Sequence, residues 1–173
     1  LAAIYTNTVD VVVDGVVATN QSTFTVANNI FQNVNRYANN IFNINYGLAI
    51  SNNLITNNTF TQCNYDLFAF DNRRINLLFE NNSSSYTVGG RPRLNYYVYV
   101  NEINKPSTAY YQVRFNTPLN GKQNGFTFLN TYGARIDNNN INIVPPTGSS
   151  FNANITLQNS DFCEIKNNNL DVI

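Results

Sequence analysis

Asp66, Asp71 and Glu80 are the best local supply of carboxylates in this chain of 173 residues. Two carboxyl groups roughly 5 to 9.5 Å apart, one an acid and the other a base or nucleophile, cleave glycosidic bonds. If these residues lie on neighbouring coils of a stacked structure, side chains come about 4.8 Å apart, and a catalytic pair is geometrically open to them. The simpler reading of Asp71 is local, because it stands beside Asn72 and Arg73-Arg74, the setting of a turn residue with its own ion pair. Other chemistries lack their residues. The chain has no histidine, which removes imidazole bases and the usual mixed metal sites, and no phosphate-cradling glycine loop. Cys63 and Cys163, far apart in the chain, supply neither a disulfide framework nor a zinc site and are expected as buried free thiols. No metal site and no cofactor is expected.

Tyr96, Tyr97, Tyr99, Tyr110 and Tyr111 are the second group that could do something. On an alternating strand Tyr97 and Tyr99 share one face, and Val98 and Val100 share the other. With the valines inward, the tyrosines form an outward platform, suited to sugar rings or to another subunit because tyrosine joins apolar area to a polar tip. Packing beneath a neighbouring loop is the alternative.

Charge narrows the partners. Ten acidic and ten basic side chains cancel, and charged residues make up only 12 % of the chain. Phosphate binding needs clustered Lys and Arg, so no nucleic-acid partner is expected. No apolar run reaches the roughly 18 residues of a membrane helix, and no membrane insertion is expected.

What must position these groups is written in a repeat. Phe126 to Ile143 matches Ile155 to Val172 without a gap, 29 residues later. Apolar residues coincide at Phe126/Ile155, Phe128/Leu157, Ile136/Ile165, Ile141/Leu170 and Ile143/Val172, and Asn138 to Asn140 coincide with Asn167 to Asn169. A repeat of this length marks a solenoid. The same offset sets Arg135 on Glu164 and Asp137 on Lys166, opposite charges that stabilise stacked strands by roughly 0.2 to 1 kcal/mol each. Earlier in the chain, Phe24 to Phe31 matches Leu48 to Ile55 at 24, Tyr46, Leu48, Asn53 and Phe60 match Tyr65, Leu67, Asn72 and Phe79 at 19, and Asn39-Asn40 match Asn57-Asn58 at 18. Asp14-Gly15 reads as a turn before Val16-Val17.

Asparagine, 36 of the 173 residues, recurs between apolar pairs. It tolerates left-handed backbone, bonds to its own backbone, and can bond to its copy in the next coil. Asn-Asn therefore marks a corner with a strand on either side. Ser83 to Gln123 interrupts the pattern, either as a lateral hairpin or as one coil with an enlarged loop.

Variable coils of 18 to 29 residues with Asn-Asn corners resemble the right-handed parallel β-helix of the pectate-lyase-like superfamily, which includes phage tailspikes. The resemblance implies an all-β, single-stranded parallel β-helix with lateral loop insertions. It would form one domain over residues 1–173, with repeat coils at 24–82 and 126–173 and an insertion or irregular coil at 83–125, and belong to a longer chain. Polygalacturonase-like members carry Asn-Thr-Asp, Asp-Asp, Gly-His-Gly and Arg-Ile-Lys. Here Arg135-Ile136-Asp137 stands for the last, and no histidine serves the third. Pectate lyases need an acidic calcium cluster beside a basic residue; Arg73, Arg74, Arg91 and Arg93 are present without a dense acidic cluster.

The expectation is a structural or receptor-binding part of a virion appendage, tailspike- or fibre-like, at the virion surface or otherwise extracellular. A host-surface glycan is its expected ligand, and the homotrimer expected for it rests on family analogy. A secreted polysaccharide hydrolase or lyase using Asp66, Asp71 and Glu80 is the alternative, and a bacterial surface adhesin is the third reading.

Overall fold

Among the described residues, alternating apolar residues and left-handed corners build twenty short strands that stack in three parallel sheets, one strand of each sheet per coil. The computed structural model describes residues 2–10, 14–19, 23–42, 50–73, 75–87, 95–103, 105–144 and 153–172. Sheet A holds β1 (Ala2–Tyr5), β4 (Thr23–Ala27), β7 (Ser51–Thr56), β10 (Ile75–Glu80), β13 (Ala109–Arg114), β16 (Gly133–Asp137) and β19 (Glu164–Lys166). Sheet B holds β2 (Thr8–Asp10), β5 (Ile30–Gln32), β8 (Thr59–Thr61), β11 (Ser83–Ser85), β14 (Leu119–Lys122), β17 (Asn140–Ile143) and β20 (Asn169–Val172). Sheet C holds β3 (Asp14–Thr19), β6 (Tyr37–Phe42), β9 (Tyr65–Phe70), β12 (Tyr96–Asn101), β15 (Asn124–Leu129) and β18 (Ile155–Gln158). The architecture is a right-handed parallel β-solenoid.

The core is a set of columns. Val26, Ile55, Phe79, Val113 and Ile136 pair in register down sheet A, all buried. Phe31 and Phe60 stack at 5.2 Å in sheet B, and Ile41, Ala69, Val100 and Phe128 line sheet C. Each such Val, Ile or Phe side chain stabilises the fold by about 1.5–3 kcal/mol on burial. Strands of three residues suffice because their neighbours above and below share that core.

The corner between sheets A and B is two residues long, except between β13 and β14, where it has four. Its first residue has positive φ, at Thr6, Asn28, Asn57, Asn81, Phe115, Asn138 and Asn167. Its second is an inward asparagine, and Asn7, Asn29, Asn58, Asn82, Asn116, Asn139 and Asn168 form a continuous ladder in which each backbone N–H donates to the next Oδ1. The amide Nδ2 of Asn116 also closes on two carbonyls, Phe79 O and Arg114 O. Of the reasons read from the sequence, the ladder uses the bond to the local backbone and the bond to the next coil, while the left-handed backbone belongs to the residue before it.

The register departs from the sequence matches before residue 126. Phe24 opposes Asn53 and Val26 opposes Ile55, an offset of 29 and not 24. Tyr65 opposes Tyr37 and Phe79 opposes Ile55, so the offset of 19 is also wrong; Tyr46 and Leu48 lie outside the described residues. Asn39-Asn40 and Asn52-Asn53 lie inside strands β6 and β7, so they are not corners. Asp14-Gly15 opens β3 and is no turn: a Cβ on Gly15 would stand 2.5 Å from the carbonyl oxygen of Ala38, so glycine admits the neighbouring strand.

From Phe126 onward every apolar pair of the 29-residue repeat is a ladder pair. Arg135 opposes Glu164 and Asp137 opposes Lys166, as read. The ion pairs also run along the strands: Arg135 reaches Glu164 at 3.5 Å across the ladder but Asp137 at 3.2 Å on its own strand, and Lys166 contacts Glu164. The segment Ser83 to Gln123 is not lateral. It supplies β11, β12, β13 and β14, each in register with the coils on both sides.

Candidate functional site

The three candidate carboxylates occupy three separate places. Asp66 is the second residue of β9 and is fully buried. Asp71 follows the same strand at a corner, with φ of 47°, and pairs with Arg73 at 3.0 Å, the local ion pair of the simpler reading. Glu80 ends β10 on sheet A and pairs with Arg114 at 2.9 Å. An extended strand separates Asp66 from Asp71, about 16 Å at the usual rise per residue. That exceeds the separation of a glycosidase pair, and Glu80 stands on a different sheet from Asp66. Arg74, Arg91 and Arg93 lie outside the described residues.

Asp66 is inward where the ladder of sheet C skips one pair near the start of its strands, and it and Leu67 are both buried. Its column runs Gly15, Ala38, Asp66, Tyr97 and Gly125, flanked by ladder pairs on either side. Tyr97 and Val98 therefore both face the core, which breaks the alternation that would have set Tyr97 beside Tyr99. The Tyr97 hydroxyl donates to Asn142 O at 2.8 Å and accepts from Lys122 N at 3.2 Å. Burial pushes that hydroxyl well above the ordinary tyrosine value.

Lys122, absent from the sequence reading, is the partner of Asp66. Its Nζ lies 2.5 Å from Asp66 Oδ1, donates to Tyr96 O at 3.0 Å, and sits 5.2 Å from the centre of the Tyr97 ring. A bulge turns it inward: the register of β14 shifts between Asn120 and Lys122, at Gly121 with φ of 90°. Desolvation pushes Asp66 up to about 6 and Lys122 down, both toward their neutral forms. Cys63 is buried nearby and pushed up to about 12 by burial, while Cys163 is only half-buried, against the expectation that both are buried.

Glu102, also missed, takes an inward corner position like the ladder asparagines. It accepts from Asn72 N at 2.5 Å, from Asn72 Nδ2 at 3.3 Å, and from the buried Tyr111 hydroxyl. Desolvation pushes it up to about 7 against these bonds. Fully buried, with both oxygens engaged inward, it is a structural member of the corner between sheets C and A.

Of the five tyrosines, Tyr97 and Tyr111 are core residues, and Tyr96, Tyr99 and Tyr110 face outward. Tyr96 and Tyr99 join Tyr37, Tyr65, Phe68 and Phe70 on the outer face of sheet C. These rings spend their faces on one another. Tyr37 stacks on Phe68 at 4.2 Å, Phe68 on Tyr99 at 5.6 Å, and Tyr65 on Tyr96 at 5.3 Å.

Tyr110 differs. On the outer face of sheet A it lies in register with Asn52, Asn76 and Gly133. Its ring leans over Gly133, where a Cβ would meet ring carbon Cδ2 at 2.6 Å. On its other side the short Asn52 and Asn76 leave a groove of about 430 Å³, bordered by Leu54, Leu78 and Gln112. Asn76 Nδ2 donates to Asn52 Oδ1 at 3.0 Å. The lining carries amides, aliphatic carbons and one phenol, and no formal charge.

Among the described residues, no three Cys, Asp or Glu side chains gather where they would hold a metal ion. Set against family models, curated proteins and solved structures, the chain matches none of them.

Proposed function

We propose that this β-helix is a rigid scaffold that binds a neutral glycan in the groove on sheet A without cleaving it. The observation that carries the reading is Tyr110, whose ring is backed by Gly133 on one side and borders a groove with Asn52, Asn76 and Gln112 on the other. A sugar ring needs an apolar face to stack on and amides to bond its hydroxyls, and its neutrality matches a lining without charge. The rings of sheet C are packed against one another and suit subunit packing better, so the same reading assembles the chain side by side through Phe68 and Tyr99. A homotrimeric virion appendage combines these two surfaces, and its support is the coil architecture it resembles.

A panel of neutral and acidic bacterial and algal glycans, titrated calorimetrically and followed for released product, tests the binding. Expected are binding of a neutral member without product, at least about tenfold weakening in Tyr110→Ala, and retention in Tyr110→Phe. Equal binding by Tyr110→Ala, or no binding across the panel, overturns the site. Product release abolished by Asp71→Asn or Glu80→Gln would replace the reading with a hydrolase or lyase.

A further inference from the structure

Buried ion pairs are ordinarily relieved by other charges or by hydrogen bonds to every oxygen, because desolvation otherwise outweighs the attraction. The Asp66–Lys122 pair is relieved only in part. Both side chains are fully buried, and Nζ is held between Asp66 Oδ1 at 2.5 Å and Tyr96 O at 3.0 Å. Asp66 Oδ2 is buried without a hydrogen-bond partner, and so is Ser84 Oγ, although Ser84 is near enough to favour the carboxylate form. The pair joins β9 to β14, two coils along the axis, across the ring of Tyr97 on β12.

From this geometry we propose that Lys122 and Asp66 condense into an intramolecular isopeptide bond that staples the two coils together. Nζ attacks Cγ of Asp66, the new C–N bond forms, and the C–Oδ2 bond breaks. Oδ2 leaves as water with two protons from the lysine ammonium, and Ser84 Oγ is the neighbouring hydroxyl that can pass a proton to it. Nothing is oxidised or reduced, and no co-reactant is needed. The dry site favours the step twice. Burial shifts both groups toward their neutral forms, a free amine and a neutral acid, and exclusion of bulk water disfavours hydrolysis of the amide. Contact of the two reacting groups is supplied by the fold.

The test is the intact mass of the folded full chain. The expected value is lighter than the sequence by one water molecule, and proteolysis yields one fragment joining the β9 and β14 peptides through Asp66 and Lys122. Asp66→Asn is expected to reach the same final mass by losing ammonia, and Lys122→Met to keep its full mass. A full-mass wild-type protein whose Lys122 is acylated after denaturation overturns the proposal, whether or not the variants fold. A mass deficit that persists in Lys122→Met overturns it too, since the lost water then comes from elsewhere.

Discussion

Asn116 closes the corner of the coil before its own: its Oδ1 accepts from the backbone N–H of Asn82 at 3.0 Å and from Asn82 Nδ2 at 3.1 Å, across 34 residues of sequence. It passes the pattern on, donating from N and Nδ2 to Asn139 Oδ1 at 3.1 and 2.9 Å. The longest coil of the ladder is thus held by the same bonds as the shorter ones. Asn116→Ala strands donors and acceptors in a dry interior and is expected to destabilise by about 2–4 kcal/mol. Urea denaturation measures this. A loss below about 0.5 kcal/mol would mean that the ladder does not hold the corner.

The residue before each ladder asparagine obeys a different rule. Asn57 has φ of 54° and an exposed side chain, so its backbone conformation is what matters. Asn57→Gly is expected to shift stability by only a few tenths of a kcal/mol, and Asn57→Val to cost about 1–2 kcal/mol. Equal melting of the two variants would remove left-handed strain as the reason for asparagine there.

Glu102 gives stability a pH dependence. Its carboxyl is raised from 4.5 to about 7, chiefly by desolvation. Below the unfolded value both states hold the proton and nothing is lost. Between the two values only the folded state holds it, so stability falls as pH rises, by about 3 kcal/mol in full. Comparing wild type with Glu102→Gln at about pH 5 and about pH 8 isolates the Glu102 share, and the variant is expected to show the flatter profile. Parallel profiles would show that Glu102 carries no such shift.

Gly133 controls the groove from behind the Tyr110 ring. A Cβ there would stand 2.6 Å from Tyr110 Cδ2, and the ring can yield only toward Asn76. Gly133→Ala is expected to weaken glycan binding while leaving melting within about 1 kcal/mol of wild type. Binding unchanged in this variant would separate the ring position from recognition.

The Arg135–Glu164 pair is exposed and shared, since Arg135 also reaches Asp137. A double-mutant cycle is expected to give a weak coupling that vanishes in high salt. A coupling that persists undiminished in high salt would contradict that exposure.

The sequence by itself determined the class of fold, the chemistry of its corners and the register of its last coils. Those features are local: period-two apolar residues define strand faces, and asparagine tolerates the left-handed backbone that a corner requires. The repeat from Phe126 to Val172 has equal coils, so its ladder pairs can be read by simple alignment. Elsewhere only the tertiary structure decided. Successive ladder steps of 22, 29, 24, 34, 23 and 29 residues defeat any fixed offset. An asparagine pair inside a strand, such as Asn52-Asn53, looks like one at a corner until long-range hydrogen bonds assign it. A signal was present all the same, since Thr6-Asn7 and Phe115-Asn116 end strands as Asn28-Asn29 does, with asparagine required only at the second position. The burial of Tyr97, the inward turn of Lys122 at the Gly121 bulge, and the groove beside Tyr110 arise from how one coil sits on another. They depend on the residue one or two coils away, which no local pattern records.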